Sequence, residues 1–250
     1  MFPDSSLSPL TTPDLAALAT LALLLPPALL VQHLRERRHE AEGRPYTRPQ
    51  KYRGTIVMLW LMAVAVIAVW FASGRQLAEL GLRAPSTHFF IGGMALAIAA
   101  STALAAQVII VQRNPKAQEN VARQIEGDDR IIAFLPATKA ELQTFRLLSF
   151  TAGVAEEIVF RGFMISGFAH WMHPALAAAL SLAIFTAAHL YQESLGALLR
   201  VAMIGLILTL FVMLSGSLWP AILVHIAVDL SSGEVTHLAI RRRQQRGVAC

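Results

Sequence analysis

The sequence predicts an all-α fold, a polytopic bundle of transmembrane helices. Hydrophobic residues make up 55% of the 250 residues, only 15% of the residues are charged, and the mean hydropathy is +0.54. A soluble domain of this length would carry about 25% charged residues. Long apolar stretches recur along the chain and alternate with polar connections. These features favour a multi-pass protein of the cell (plasma) membrane over a soluble globular domain.

About seven stretches are long and apolar enough to cross a bilayer, which takes about 20 mainly apolar residues in a helix. They comprise residues 15–31, 55–72, 89–111, 145–168, 174–190, 195–214 and 218–240. Pro26 and Pro27 remove two backbone donors, which predicts a kinked or interrupted first helix. Residues 1–34 contain no Lys or Arg, so we expect that this helix is not a cleaved secretory signal. A polar eighth element near residues 117–132 is expected to be a surface helix.

The connections between the stretches differ in positive charge, which predicts the orientation of the chain. Connections 32–54 and 112–146 carry seven and six Lys or Arg residues, and the tail after Ile240 carries four. Connections 73–88 and 169–173 carry two and none. Because Lys and Arg accumulate on the cytoplasmic side, we expect the N-terminus outside and the C-terminus in the cytoplasm. The basic charge then indicates topology and contact with the lipid bilayer, and no nucleic acid is expected as a partner.

The predicted organisation has four parts. Residues 1–111 hold the N-terminal transmembrane helices with a cytoplasmic basic loop, and residues 112–142 form a cytoplasmic connecting segment. Residues 143–240 form a transmembrane core, and residues 241–250 form a basic cytoplasmic tail. The single cysteine, Cys250, is the last residue, so the sequence predicts neither a disulfide framework nor a thiol nucleophile within the fold.

Several ionisable residues lie inside or at the ends of the apolar stretches of the C-terminal half. They are Glu156, Glu157, Arg161, His189, His225 and Asp229. Charged side chains at bilayer depth are costly, and they are tolerated only where they face a protein interior or a water-filled cavity. These residues are therefore candidates for a functional site in the inner half of the membrane.

The spacing of these residues predicts which of them meet. Glu157 and Arg161 are four residues apart on one helical face, where the arginine can neutralise the carboxylate. Glu156 is rotated by about 100° from Glu157 on an α-helix, so the two acids are expected to face different surroundings. His225 and Asp229 also share a face, where the aspartate can orient the imidazole or accept its proton.

Three short motifs follow one another along this half of the chain. They are Glu156-Glu157-x-x-x-Arg161, Phe185-x-x-x-His189 and His225-x-x-x-Asp229. Together they resemble the EExxxR, FxxxH and HxxxN or HxxxD motifs of the CAAX-processing and bacteriocin-processing (CPBP) intramembrane proteases, which include the Ras-converting endopeptidases. The similarity covers about residues 135–232. It extends to Leu135-Pro136 ahead of Glu141, to Ala152-Gly153 and to Arg161-Gly162-Phe163. Residues 79–82 show a further, weak similarity.

The resemblance implies an intramembrane endopeptidase that hydrolyses a peptide bond of a membrane-associated or lipidated protein or peptide. Its active site is expected in a cavity that opens toward the cytoplasm. By this analogy Glu156 is the general base that activates water, and His189 helps to hold or polarise that water. The core at residues 143–240 would then be the catalytic part of the chain.

By the same analogy, His225 and Asp229 contribute to binding the substrate carbonyl and its developing oxyanion, while Glu157, Arg161 and Phe185 have supporting roles. Relatives that process prenylated proteins typically carry asparagine in place of Asp229. Asparagine can donate a hydrogen bond to an oxyanion, whereas an ionised aspartate cannot. An ionised Asp229 is therefore expected to orient His225, which becomes the donor.

Zinc is the alternative to direct activation of water by a glutamate. His189, His225, Asp229 and Glu156 include two histidines and carboxylates of the kind that bind zinc. The sequence contains no HExxH, so we expect a metal-independent glutamyl peptidase without a cofactor.

The alternative function is a catalytically idle membrane scaffold or bacteriocin-immunity-type protein with the same fold. A transporter would usually show paired halves, and the sequence shows no internal repeat.

The charge asymmetry generates a prediction about topology. A reporter fused after Gly247 is expected to read cytoplasmic, and one inserted near Ser86 is expected to read external. Reporter activity on the same side of the membrane for both insertions would contradict the seven-segment orientation.

Overall fold

The computed structural model describes residues 9–124, 132 and 134–245, and those residues form helices and connections without a β-strand. The predicted all-α fold is confirmed. The helices are α1 (Thr12–Ala19), α2 (Leu25–Ala41), α3 (Arg48–Ala72), α4 (His88–Arg113), α5 (Pro115–Gln124), α6 (Lys139–Glu156), α7 (Ile165–Phe168), α8 (Pro174–Ala187), α9 (Leu195–Ser215) and α10 (Trp219–Gln245). The segment 125–131, the end of the basic tail, Gly247 and Cys250 lie outside the described residues.

Five helical segments of the described chain are long and apolar enough to cross a membrane. They are Thr12–Ala41, Arg48–Ala72, His88–Arg113, Pro174–Gln192 and Leu195–Ser215. They correspond to five of the seven predicted stretches, so the protein has the helices of a multi-pass membrane protein. The two other predicted stretches form the continuous helix 139–168 and α10, and these helices carry Glu156, Glu157 and Arg161, and His225 and Asp229. Their ionisable side chains make them less apolar than the five.

Pro26 and Pro27 do not interrupt the first membrane helix, which continues from Thr12 to Ala41. Both prolines lie in the first turn of α2, directly after a π-helical turn at Thr20–Leu24. Proline is tolerated at such a position, and the wider π-helical turn accommodates backbone amides that are missing from the regular pattern. The helix therefore includes much of the predicted basic connection. Its second part, α2, reaches the loop that follows α8.

The long helix α10 packs against α4, α6, α5 and α9. Two glycines allow α6 and α10 to approach each other closely. A Cβ atom at Gly153 of α6 would lie 2.4 Å from Cγ1 of Ile226, and one at Gly233 of α10 would lie 2.5 Å from the ring of Phe145. Because these positions have no side chain, the backbone of α10 at Ile226 lies close to α6. The preceding residue, His225, therefore lies next to the two glutamates.

A buried ion pair joins α1 to the connection that follows α3. Nη1 of Arg75 lies 2.9 Å from Oδ1 of Asp14, and both side chains are almost completely buried. The guanidinium of Arg75 also lies 4.7 Å from the ring centroid of Trp70. In the connection that follows, the carbonyl of Leu80 lies so close to Gly162 that a Cβ atom there would be 2.9 Å away. The connection therefore packs directly on the helix that carries Arg161.

The contact at Gly153 generates a prediction about stability. Gly153→Ala places a methyl group against Ile226, and overpacking of this kind is expected to lower the free energy of unfolding by about 1–3 kcal/mol. The measurement is the Tm of the purified protein in detergent. Gly54→Ala on α3 is the matched control, because a Cβ atom there has nothing within 4 Å. Equal Tm values for the two variants would contradict the close packing of α6 and α10.

Candidate active site

The helix that carries both glutamates changes its hydrogen-bonding pattern between them. Helix α6 ends at Glu156, and a π-helix follows over Glu157–Met164 before α7 begins. All eight residues of this π-helix are buried. A π-helix forms hydrogen bonds from residue i to i+5, so it is wider than an α-helix, and short segments of it are frequent at functional sites.

Glu157 lies at the centre of a buried polar cluster. Its Oε1 atom accepts a hydrogen bond from Nη1 of Arg161 at 3.1 Å and lies 2.8 Å from Nδ1 of His225. Arg161 also donates from Nη2 to the carbonyl oxygen of Gly205 at 3.1 Å and from Nε to Oγ1 of Thr209 at 3.5 Å. The ion pair expected from the sequence is therefore present, and it joins the π-helix to α9 and α10.

The contact with Glu157 fixes the orientation of the His225 ring. An ionised carboxylate only accepts hydrogen bonds, so Nδ1 of His225 carries a hydrogen atom. The opposite ring nitrogen, Nε2, lies 3.9 Å from Oε2 of Glu156 and 3.8 Å from Oδ2 of Asp229. Nε2 therefore faces both of the other carboxylates, and it is the ring nitrogen that can form a hydrogen bond with a substrate.

One expectation from spacing agrees with the structure and another is wrong. Glu157 is buried in the ion pair with Arg161, whereas Glu156 is partly exposed, so the two acids have different surroundings even though both face the same imidazole. The expectation that Asp229 orients His225 is wrong. Glu157 has this role, because its contact is of hydrogen-bond length whereas the contact of Asp229 is too long.

The three carboxylates differ in their exposure. The side chain of Glu157 is completely buried, that of Glu156 is 14% exposed, and that of Asp229 is 35% exposed. No side-chain hydrogen bond is formed by Glu156 within the described part of the chain. The site thus contains one carboxylate held in an ion pair and two that are accessible beside Nε2 of His225.

Phe185 connects Arg161 to His189. The guanidinium of Arg161 lies 4.2 Å from the centroid of the Phe185 ring, and the ring of His189 lies 4.7 Å from it. Nδ1 of His189 is 2.8 Å from the carbonyl oxygen of Phe185. Because a carbonyl oxygen only accepts, this nitrogen carries hydrogen and the Nε2 atom of His189 remains available.

His189 lies near the end of the membrane-capable segment Pro174–Gln192, as the sequence predicts. The α-helical part of this segment ends at Ala187, and His189 lies in the turn before a short 3-10 helix at Leu190–Gln192. The ring of His189 interacts electrostatically with His225 and Asp229. The structure therefore brings the histidines of the second and third motifs into one region.

Tyr191, Gly205 and Thr209 belong to this region, and the sequence pattern did not identify them. The ring of Tyr191 stacks on that of His189 with 5.9 Å between centroids and 29° between planes. Tyr191 is also within electrostatic reach of Glu156 and Asp229. Tyr191 could have been identified from the sequence, because it lies only two residues after His189. The contacts of Gly205 and Thr209 with Arg161 could not, because they depend on tertiary packing.

The zinc alternative finds no preformed site in residues 9–124, 132 and 134–245. No group of three or more His, Cys, Asp or Glu side chains within these ranges is arranged to hold a metal ion. The donors of the site still include two available imidazole nitrogens and two carboxylates, which are ligand types that zinc binds.

The arrangement combines an accessible carboxylate, two imidazoles and a buried ion pair in a bundle of membrane helices. Acid–base catalysis of a hydrolytic reaction requires groups of these types. Residues 139–231 match the family model described as Rce1-like, type II CAAX prenyl endopeptidase Rce1-like. This match confirms the predicted resemblance to the CPBP proteases. No curated protein and no solved structure matches the chain.

The buried ion pair generates a prediction that separates support from chemistry. Glu157→Gln and Arg161→Ala each leave a charge without compensation in the interior, which is expected to destabilise the protein by about 3–5 kcal/mol. Glu156→Gln removes no ion pair of hydrogen-bond length and is the matched control. The measurement is the Tm in detergent together with the amount of protein in the membrane. A larger loss of stability in Glu156→Gln than in Glu157→Gln would contradict the assignment.

Proposed function

We propose that the protein is an intramembrane endopeptidase that hydrolyses a peptide bond of a membrane-associated or lipidated protein or peptide by glutamate-activated water. The observation that carries the proposal is the different surroundings of the adjacent glutamates. Glu157 is buried between Arg161 and His225, whereas Glu156 is partly exposed and faces Nε2 of His225. The match to a protease family supports this function over a catalytically idle scaffold.

Glu156 acts as the general base in this mechanism. Its carboxylate accepts a proton from water, the resulting hydroxide attacks the carbonyl carbon of the scissile bond, and negative charge develops on the carbonyl oxygen. Glu156 then returns the proton to the leaving nitrogen as the C–N bond breaks. His189 holds the water through Nε2, because its Nδ1 atom is already bound to the carbonyl oxygen of Phe185.

His225 stabilises the developing oxyanion. In its protonated form the ring donates from Nδ1 to Glu157 and from Nε2 to the substrate oxygen. The carboxylate of Glu157 favours this cation, and Arg161 balances the charge of Glu157. Asp229 lies 3.8 Å from Nε2 without a hydrogen bond to it, so its side chain borders the position that the substrate carbonyl would occupy.

The membrane placement that we propose has seven crossings, with the N-terminus outside and the C-terminus in the cytoplasm of a plasma membrane. Helix 139–168 and α10 are the two crossings that carry the site. Both are long enough to span the hydrocarbon layer, and their ionisable side chains pack against each other within the bundle. The site then lies in the inner half of the membrane, where a substrate at the cytoplasmic surface reaches it.

Replacement of the base tests the mechanism. Glu156→Gln keeps the shape of the side chain and cannot accept a proton, so cleavage is expected to fall by at least about 10²-fold at a normal level of protein. The experiment compares the membrane proteomes of cells with the intact protein and with Glu156→Gln, and looks for C-termini that disappear in the variant. Glu40→Gln on α2, at an exposed position, is the matched control. Full cleavage by Glu156→Gln would show that the assigned base is wrong.

A second experiment tests the metal alternative and the role of Asp229. Activity is expected to survive exhaustive chelation, because a zinc-bound water would be lost with its metal. Asp229→Asn is expected to retain activity, since an amide can donate to the oxyanion, whereas Asp229→Ala is expected to be poor because nothing replaces the carboxylate. Activity that is lost on chelation and restored by zinc would favour a metallopeptidase. Equal inactivity of both Asp229 variants would mean that the negative charge is required.

A further inference from the structure

The loop after α8 contains a strained backbone position at Glu193. Its φ angle is +50°, and no other non-glycine residue among those described has a positive φ. Residues other than glycine rarely adopt this left-handed backbone conformation. It persists only where surrounding contacts impose it. The contacts of Glu193 are therefore informative about what holds the loop in place.

Two residues of α2 hold the Glu193 side chain. Nη1 of Arg37 donates to both carboxylate oxygens of Glu193, at 3.0 and 3.1 Å, and Nε2 of His33 lies 3.2 Å from Oε1. Arg37 and His33 precede Glu193 by 156 and 160 residues. Helix α2 lies outside the region 139–231 that matches the family model, so these contacts connect a separate part of the chain to the matched region.

Tyr191 connects this contact to the site. Its ring lies 6.2 Å from the ring of His33, at an angle of 45°, and it stacks on the ring of His189. His189 lies in a turn, and the only hydrogen bond described for its ring joins Nδ1 to the carbonyl oxygen of Phe185. One hydrogen bond leaves a ring free to tilt, whereas stacking on a second ring restricts its plane.

We propose that Tyr191 and Glu193 are positioning residues for His189, and that α2 holds them through Arg37 and His33. This inference rests on the proposed function, because it concerns the same active site. The N-terminal helix thus contributes to the geometry of a site whose reacting groups all come from the matched region. Small displacements of a group that holds the attacking water are costly in rate, which makes such positioning consequential.

The Arg37–Glu193 contact has little importance for global stability. The side chain of Arg37 is 55% exposed, and that of Glu193 is 25% exposed. Ion pairs this accessible to solvent contribute little to the free energy of unfolding. Loss of the contact is therefore expected to change the position of His189 without unfolding the protein, which separates positioning from a purely structural role.

The first test measures the position of His189 without relying on activity. Purified protein in detergent is treated with diethyl pyrocarbonate, and mass spectrometry follows the rate at which His189 is modified. Arg37→Ala, Glu193→Gln and Tyr191→Ala are each expected to raise this rate by about threefold or more, because His189 becomes less covered. Arg38→Ala is the matched control, since it removes a positive charge from the same helix and Arg38 contacts Glu42. An unchanged rate in the first three variants would overturn the proposal.

The second test uses the cleavage sites that disappear with Glu156→Gln. Arg37→Ala and Glu193→Gln are expected to lower kcat by about tenfold, with KM and Tm nearly unchanged. The double variant is expected to be no worse than either single variant, because both remove one contact. Arg37→Lys is expected to restore most of the activity. Additive losses, or a loss of Tm equal to the loss of activity, would overturn the positioning role.

Glu193→Gly separates the contact from the backbone conformation. Glycine adopts a positive φ without strain, so this variant keeps the conformation and removes the carboxylate. It is expected to resemble Glu193→Gln in both measurements, and normal activity would show that only the backbone matters. Retained cleavage by Glu156→Gln would contradict the proposed base. The modification rates of His189 do not depend on cleavage, so they would still test the positioning role.

Discussion

The buried carboxylate of Glu157 is the interaction on which the site depends. A charge in the interior of a helical bundle is tolerated only when opposite charges and hydrogen-bond donors surround it. One oxygen of Glu157 contacts both the guanidinium of Arg161 and the imidazole of His225. Because Arg161 is bound in turn to Gly205 and Thr209, this carboxylate links the π-helix, α9 and α10 through one polar network.

This arrangement gives two adjacent residues of the same type different surroundings. The charge of Glu157 is balanced by Arg161, and in the proposed mechanism Glu157 contributes a fixed electrostatic environment while Glu156 reacts. Glu156 is partly exposed at the junction of α-helix and π-helix, and it faces the other ring nitrogen of His225. The aromatic ring of Phe185 extends the same network, since it lies against both Arg161 and His189. The polar core and the reacting face are thus parts of one structure.

The sequence predicted the helical class, five of the membrane helices and the Glu157–Arg161 pair, because hydropathy and spacing along one helix determine them. It did not predict that Glu156 faces His225 or that Glu157 is the partner of His225. These contacts lie beside a π-helix, which no hydrophobic period reveals, and beside the close approach allowed by Gly153. The contacts of Glu193 with α2 join residues more than 150 positions apart, so local patterns carry no information about them.

The packing of α10 has a consequence for the biosynthesis of the protein. Chains are made from the N-terminus, and earlier segments enter the membrane first. Helix α10 supplies His225 and Asp229, and it is made after every other helix described here. Before α10 packs against the other helices, Glu157 has Arg161 as its partner but lacks its imidazole, and Glu156 does not face His225. An unfinished chain therefore has both acids but not the complete polar cluster, which forms only when the last helix joins the bundle.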